Sequence, residues 1–398
     1  MDTAMKKVKK RSILASGAVL AAVVLLAGVE PAEAVIRGTC ADCHTMHNSQ
    51  DGGSMAYGTG PNAMLTRGSC IGCHAQNPAG GAKIVTIGGN SFPQVMHADA
   101  SGDLAAGNFA YITGAKGSGA NDNRGHNVID VVSQDSRAGM YGPPGGIVQS
   151  GHNNGGVVNS SNLTCAGGNG CHGNRGGGLP SGVLGLKGAH HGNVDGLLTE
   201  ATTPANSYRF LMGVRGLENP NTDDRWQNAS SSSHNEYFGA ATPGVYGCSN
   251  TSCHTGGHSG PVVTKNNTIS GFCGTCHGNF HTLYSYNNSG ARISTGIGTS
   301  TSSPFIRHPS DIVIKNSGEY AGYTTYNLSA PVGRQTLVAT PSSTVTPGTD
   351  TITCLSCHMA HASNYAAMLR FDYSQMMAHN GGAASGSGCF ACHTTKDE

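Results

Sequence analysis

The chain has 398 residues, of which 37% are apolar, 11% are charged and 60 are glycine. So small an apolar share with so much glycine excludes an ordinary single-core domain of this length, and so little charge excludes a solvated disordered chain. With 23 Lys and Arg against 22 Asp and Glu there is no basic excess to hold a nucleic acid, and the surplus lies instead in 14 cysteines and 19 histidines.

Residues 1–34 read as an export signal. Lys6, Lys7, Lys9, Lys10 and Arg11 form a basic start, and an apolar run from Ile13 to Val29 follows. Ala32-Glu33-Ala34 supplies a small-x-small cleavage pattern before Val35. The run falls short of a ~20-residue bilayer span, and nothing later in the chain is apolar enough to cross one. The expectation is a cleaved signal peptide (1–34) and one secreted body (35–398), whose net charge falls from +1 to −1 on cleavage.

The cysteines then fall into seven local pairs, each followed at once by histidine. In chain order the triplets are Cys40/Cys43/His44, Cys70/Cys73/His74, Cys165/Cys171/His172, Cys248/Cys253/His254, Cys273/Cys276/His277, Cys354/Cys357/His358 and Cys389/Cys392/His393. Chance would place seven such histidines with odds of order 10^-9. C-x-x-C-H is the attachment signature of c-type haem. Two thiols reach the vinyl groups on one porphyrin edge, and the adjacent imidazole turns in to the iron. The longer linkers at Cys248 and Cys165 can bulge outward and keep the thiols equally spaced, aided by Gly167, Gly168 and Gly170. Disulfides suit an exported protein but do not explain the histidines, and zinc sites gather cysteines in fours. The expectation is seven haems c.

Each iron needs a second axial ligand or keeps an open face. Twelve histidines remain: His47, His97, His126, His152, His190, His191, His234, His258, His281, His308, His361 and His379. That number lets every iron be bis-histidine; methionine ligation would raise the potential. His47 and His361 lie three residues beyond a proximal histidine, one helical turn away. His126 and His308 sit in turn-like settings far from any motif, one of His190 and His191 is a candidate, and so are His97 and His379. His152 and His281 are weaker candidates, and His234 and His258 are expected to face solvent.

The short spacings make haems one and two, four and five, and six and seven sequence neighbours. Some 52 residues per haem after cleavage cannot enclose each cofactor separately, so the haems must form the core. The expected fold is a multihaem c-type cytochrome, mostly coil with short helices and few short strands wrapped around a chain of stacked haems. The spacing of Tyr365, Met368, Leu369 and Met376 predicts a helix over Ala362–His379. Strands are predicted at Lys83–Ile87, Val128–Val132 and Ile312–Lys315, and long loops at 226–246, 285–304 and 340–350.

Five stretches resemble the extracellular multihaem cytochromes of metal-reducing bacteria that form cytochrome nanowires, the OmcS/OmcE type. They are Cys40-Ala-Asp-Cys-His-Thr-Met-His-Asn-Ser49, Gly125-His-Asn-Val128, Arg307-His-Pro309, Cys354-Leu-Ser-Cys-His-Met-Ala-His-Ala-Ser363 and Cys389-Phe-Ala-Cys-His393. The departures lie between residues 150 and 260, where the longer linkers resemble CxxxxCH units of paralogous cytochromes. The resemblance implies bis-histidine haems stacked in a continuous chain and a homopolymer delivering electrons to extracellular acceptors such as metal oxides, with other multihaem cytochromes as partners. It also implies that His47 binds the iron held by Cys354, Cys357 and His358 of a neighbouring subunit. Two alternatives stand beside this electron carrier: a monomeric periplasmic or outer-surface carrier, and a multihaem reductase with one open haem.

Overall fold

The computed structural model describes residues 38–58, 60–76, 81–132, 143–144, 162–173, 180–186, 190, 208–211, 214–219, 226–241, 268–277, 280, 284–286, 292–294, 308–337, 340–379 and 386–396. All belong to one unit, Ala34–Glu398. It is mostly coil, as expected. Among the described residues, five α-helices of four to six residues carry little more than a turn each: α1 (Cys40–Cys43), α2 (Cys70–His74), α3 (Ala110–Thr113), α4 (Ile269–Gly274) and α5 (Cys389–Cys392). Four of them contain a CxxCH cysteine, and a 3-10 turn at Cys354–Ser356 does the same work. Helices this short do not hold themselves. Side chains cap three of these turns: Ser69 Oγ accepts from Gly72 N at 3.3 Å, Thr268 Oγ1 accepts from Gly271 N at 2.9 Å, and Thr353 and Ser356 cap each other reciprocally.

Strands are equally brief. β1 (Ser49–Gln50) and β2 (Gly53–Ser54) form a small antiparallel ribbon. β3 (Ile84–Ile87) and β4 (Asn90–Pro93) form a hairpin closed by Gly88 and Gly89, both at positive φ as a tight two-residue turn requires. β5 (Thr164–Ala166) and β6 (Gly170–His172) pair in parallel. β7 (Gly216–Leu217), β8 (Glu236–Phe238), β11 (Ile312–Val313), β12 (Val332–Arg334) and β13 (Thr351–Ile352) make the largest sheet, in the order β11-β13-β12-β8-β7. β9 (Tyr284–Tyr286) and β10 (Arg292–Ser294) pair antiparallel.

Several local expectations need correction. Ala362–His379 is not a helix; it holds two 3-10 turns, Ala366–Met368 and Tyr373–Gln375, because Ala367 and Met368 adopt left-handed backbone. Val128–Val132 is a turn, with the Val131 and Val132 amides both bonded to Val128 O, rather than a strand. The strand at 83–87 begins at Ile84, and that at 312–315 ends at Val313. The tract 226–246 includes β8, and 285–304 includes part of β9 and all of β10.

Among the described residues, apolar burial is divided among three small clusters. One gathers Ile314, Tyr323, Tyr326, Val332, Val345 and Ile352 with Cys392 against it. A second joins Val214, Tyr237, Ile269, Phe272 and Leu355 with Cys171. The third holds Met96, Phe109, Ile112, Val128 and Ala362 with Cys165. Each cluster therefore backs a cysteine of one CxnCH motif instead of forming one continuous core. His234, expected at the surface, is instead fully buried. It stacks on Tyr326 at 3.6 Å and faces Glu236, which pairs with Arg334 beneath the sheet.

Candidate haem-binding site

The CxxCH turns place two thiols on one side by helical spacing, where residues three apart have Cβ atoms about 5–6 Å apart. The fifth motif closes its turn differently. Cys276, expected to hold a haem beside Cys273, lies outside the helix, because α4 ends at Gly274. The Cys276 amide still bonds to Cys273 O at 3.1 Å, so a tighter 3-10 closure carries the chain on to His277. Its half-buried sulfur lies 4.0 Å from the Thr275 hydroxyl.

The five-residue linker reaches the same thiol separation differently. Thr164 pairs with Gly170 and Ala166 with His172, so Cys165 on β5 stands beside Cys171 on β6, one strand spacing of about 4.8 Å away. This arch needs its glycines: Gly167 has φ +86°, and a Cβ there would meet Pro180 O at 2.1 Å. The twelve described cysteines all carry free thiols.

Neighbouring motifs touch through these thiols. Cys165 lies against Cys70 and Cys273 against Cys354, close enough that each thiol shifts its neighbour's protonation. Burial raises Cys73 to about 11, with Cys43 and Cys70 adding their charge. Burial likewise raises Cys392 to about 12, with help from Cys357 and Cys389. Cys171 is close enough to Cys273 to raise it further, and Cys276 adds to the same effect from within the motif. The described motifs thus run first, second, third, fifth, sixth, seventh in space.

The histidines meet in pairs. His74 and His190 ring centroids are 6.3 Å apart, His126 and His277 6.0 Å, His172 and His361 6.1 Å, and His308 and His393 6.4 Å. Two imidazoles on opposite faces of one iron, each with a metal–nitrogen bond of ~2 Å, place their centroids about 6 Å apart. Each pair joins one motif histidine to one spare histidine, and the spacing leaves room for one iron.

The other ring nitrogen is already committed in most of these residues. Nδ1 lies against a backbone carbonyl in His44 (Met64, 3.1 Å), His74 (Pro93, 2.8 Å), His172 (Arg209, 3.1 Å), His277 (Pro144, 2.7 Å) and His358 (Ala367, 2.7 Å). In His126 it faces Ala360 O at 2.8 Å, and in His308 Pro309 O at 3.1 Å. Donation from Nδ1 leaves the Nε2 lone pair for a metal, the usual support of a ligating histidine. Burial keeps the rings neutral: it pushes His277 down to about 4, with help from His126, and His361 to about 3, with help from His172 and His126. Neutral imidazole is the form that binds iron.

Three of the carbonyl acceptors share a device that was missed in the sequence. The turns Ala63–Leu65, Tyr208–Phe210 and Ala366–Met368 each set two successive residues at positive φ: Met64 and Leu65, Arg209 and Phe210, Ala367 and Met368. The first of each two faces its histidine, and the second accepts from the residue after that histidine, at 2.8 Å in all three cases. Arg67 Nε donates to Ala41 O and Arg370 Nε to Leu355 O, both at 2.6 Å, bridging each turn to the CxxC linker. The legible signal is Ala-x-apolar-x-Arg at Ala63–Arg67 and Ala366–Arg370.

The remaining candidates are placed as follows. His47 is exposed beside Met46, itself 81% exposed. His97 is fully buried and neither ring nitrogen has a hydrogen-bond partner; its nearest charge is Asp103, at 3.7 Å. Metal ligation would satisfy such a ring. His379 is exposed with φ +59°. Cys248, Cys253, His254, His152, His191, His258 and His281 lie outside the described residues. Among those described, no three or more Cys, His, Asp or Glu converge on a single bare ion, and no helix is long and apolar enough to cross a membrane.

Short CxxCH turns on a coil scaffold, with imidazoles paired at iron-spanning distance, are an arrangement that fits c-type haem at several sites. The family described as the doubled CXXCH motif matches residues 346–398, which take in the last two attachment sites. Among solved structures the chain is similar to the outer membrane cytochrome S filament from Geobacter sulfurreducens, with 18% identity over 86% of this chain and 85% of that one and a TM-score of 0.43. It is also similar to the OmcS nanowires from the same organism, with 20% identity over 84% of each chain and a TM-score of 0.41. A comparison with curated proteins finds no match.

Proposed function

We propose that this chain is a secreted heptahaem c-type cytochrome that conducts electrons between bis-histidine haems and polymerises outside the cell. The observation that carries the reading is the set of four imidazole pairs at 6.0 to 6.4 Å. In it, His190 completes the iron of His74, His361 that of His172, His126 that of His277 and His308 that of His393. The bound haem supplies the one-electron chemistry. The chain's residues set the spacing, close both faces of each iron and exclude substrate from it, as suits a carrier rather than an enzyme. The thiol contacts support an electron route in the order first, second, third, fifth, sixth and seventh motif.

The junction between subunits follows from the two CxxCHxxH segments. His361 turns away from its own motif to the imidazole of His172. His47 holds the same position in the first motif but is exposed. Among the described residues no second imidazole stands at this spacing from His358, so His47 of a neighbouring copy is read as its partner. Met46, Met64 and Leu65, all exposed, supply apolar surface beside it. His47→Ala is expected to leave discrete particles with an unchanged haem content where the unaltered protein forms thin regular filaments in negative-stain electron microscopy. Normal filaments from that variant would overturn the junction.

A further inference from the structure

The iron-binding histidine of the last motif is held differently from the others. Five motif histidines rest Nδ1 on a neutral backbone carbonyl. His393 instead directs Nδ1 to the carboxylate of Glu319, with Oε1 at 3.3 Å. The carboxylate is placed by backbone, not by chance of rotamer alone. Glu319 lies in the turn Gly318–Tyr320, and its carbonyl accepts both the Thr394 amide at 3.0 Å and the Thr394 hydroxyl at 2.5 Å. The segments on either side of His393 and Glu319 are therefore tied together next to the contact. Lys396 Nζ stands 3.8 Å from the other oxygen, Oε2, and the Tyr320 ring lies 5.1 Å from the His393 ring.

We infer that Glu319 is a positioning residue that makes the haem on Cys389 and Cys392 the low-potential centre among the described sites. The inference rests on the proposed haem at that motif. An anionic acceptor draws the Nδ1 proton more strongly than a carbonyl does, and the imidazole becomes a more basic ligand. A more basic axial ligand favours ferric over ferrous iron, which lowers the reduction potential through hydrogen bonding to the ligand. The opposite ligand, His308, keeps a backbone acceptor at Pro309, so the asymmetry comes from the His393 side alone. The last haem in the route would then pass electrons inward along the chain readily and accept them reluctantly, giving the array a direction that identical sites would lack.

The test is a spectroelectrochemical titration of the full-length holoprotein carrying Glu319→Gln, which keeps the shape and a neutral acceptor. Haem content is measured beside it by pyridine haemochrome and intact mass. About one seventh of the absorbance change is expected to leave the low-potential end of the curve. A tenfold change in its reduction equilibrium corresponds to a rise of about 59 mV for one electron. Cys389→Ala with Cys392→Ala assigns that component, since it should vanish from the curve with the loss of one haem. If those cysteines carry no haem in the unaltered protein, mass shows it at once and the underlying reading fails. Full haem content with a titration curve superimposable on the original overturns the role of Glu319. Should the glutamine variant lose its haem, Glu319→Asp, which withdraws the carboxylate by one methylene, carries the test with the same expected direction and the same overturning result.

Discussion

Replacing His361 with alanine is expected to open one iron and leave the rest of the molecule closed. His361 and His172 are 6.1 Å apart, and an alanine methyl cannot span the iron–ligand gap. His172 stays fixed through Arg209 O at 3.1 Å, so the haem keeps its proximal ligand and its two thioethers. The structural cost is bounded. The stack of His361 on Phe109, at 4.8 Å, is worth about 0.5–1.5 kcal/mol, and the vacated volume adds about 2–4 kcal/mol. Residue 361 keeps its backbone bonds, accepting from His126 N at 3.0 Å and donating to Ala106 O at 2.7 Å. A holoprotein stapled by covalent haem should survive that loss. Electron paramagnetic resonance of the oxidised variant is expected to show a high-spin ferric signal from about one seventh of the haem. His361→Met should return it to low spin at a raised potential, and removing Cys165 and Cys171 as well should delete the signal together with one haem. An entirely low-spin spectrum from His361→Ala at full haem content would refute the axial assignment, and with it the reading of all four pairs.

Two other expectations address the scaffold. Gly167→Ala puts a side chain at φ +86° and a methyl 2.1 Å from Pro180 O, so the five-residue arch should open and haem content by pyridine haemochrome should fall by one. Gly89→Ala is the control: φ is +89° with nothing within 4 Å, so only the backbone strain of about 1–2 kcal/mol applies and no haem is lost. Acid stability should depend on Glu236. Burial alone would raise its pKa, but hydrogen bonds from His234 and Arg334 carry it below the ordinary 4.5. The native carboxylate therefore binds fewer protons than the unfolded one, so its contribution is present above about 4.5 and lost as pH falls through the lowered value. Glu236→Gln should flatten that part of a plot of thermal midpoint against pH, and an unchanged slope would show that the buried pair with Arg334 carries no such linkage.

The CxnCH motifs were legible because their spacing is local. Cys40 and Cys43 with His44 need no distant residue to be recognised, and even the long linker at Cys165 kept its cysteine–cysteine–histidine order. The backbone beneath that order was less legible, since Cys276 follows the end of its helix while Cys43 and Cys73 lie within theirs. His126, His190, His308 and His361 were singled out as candidates, but which motif histidine each one meets was not legible, because the chain brings His126 to His277 and His361 to His172 across long separations that no local period records. The failed helix at Ala362–His379 shows why. Its apolar spacing suits a helix, but Ala367 must turn its carbonyl to His358, and left-handed backbone at Ala367 and Met368 breaks the helical path. Local propensity lost to the demand of a ligand's second nitrogen. His234 misled for the opposite reason: its Ser/Asn surroundings look solvated, yet the ring fills a gap between Tyr326 and Glu236.

The recurring turn explains how so much coil can hold metal ligands firmly. Left-handed backbone at two successive non-glycine residues costs about 1–2 kcal/mol each and persists only where surrounding bonds over-determine it. Here the determinants are visible. At Met64 and Leu65 they are His44, the Thr45 amide and the Arg67 bridge to Ala41; at Ala367 and Met368 they are His358, the Met359 amide and the Arg370 bridge to Leu355. Each attachment turn and its returning bracket form a closed local loop of hydrogen bonds that needs no hydrophobic core behind it. The two segments that share the arginine bridge are also the two that carry a second histidine three residues on, at His47 and His361. One such unit presents its second histidine to the interior of the chain and the other presents it outward. A unit repeated in the first and sixth motifs, with one second histidine turned in and one turned out, is a construction by which a junction between subunits can reuse the geometry of a junction within one.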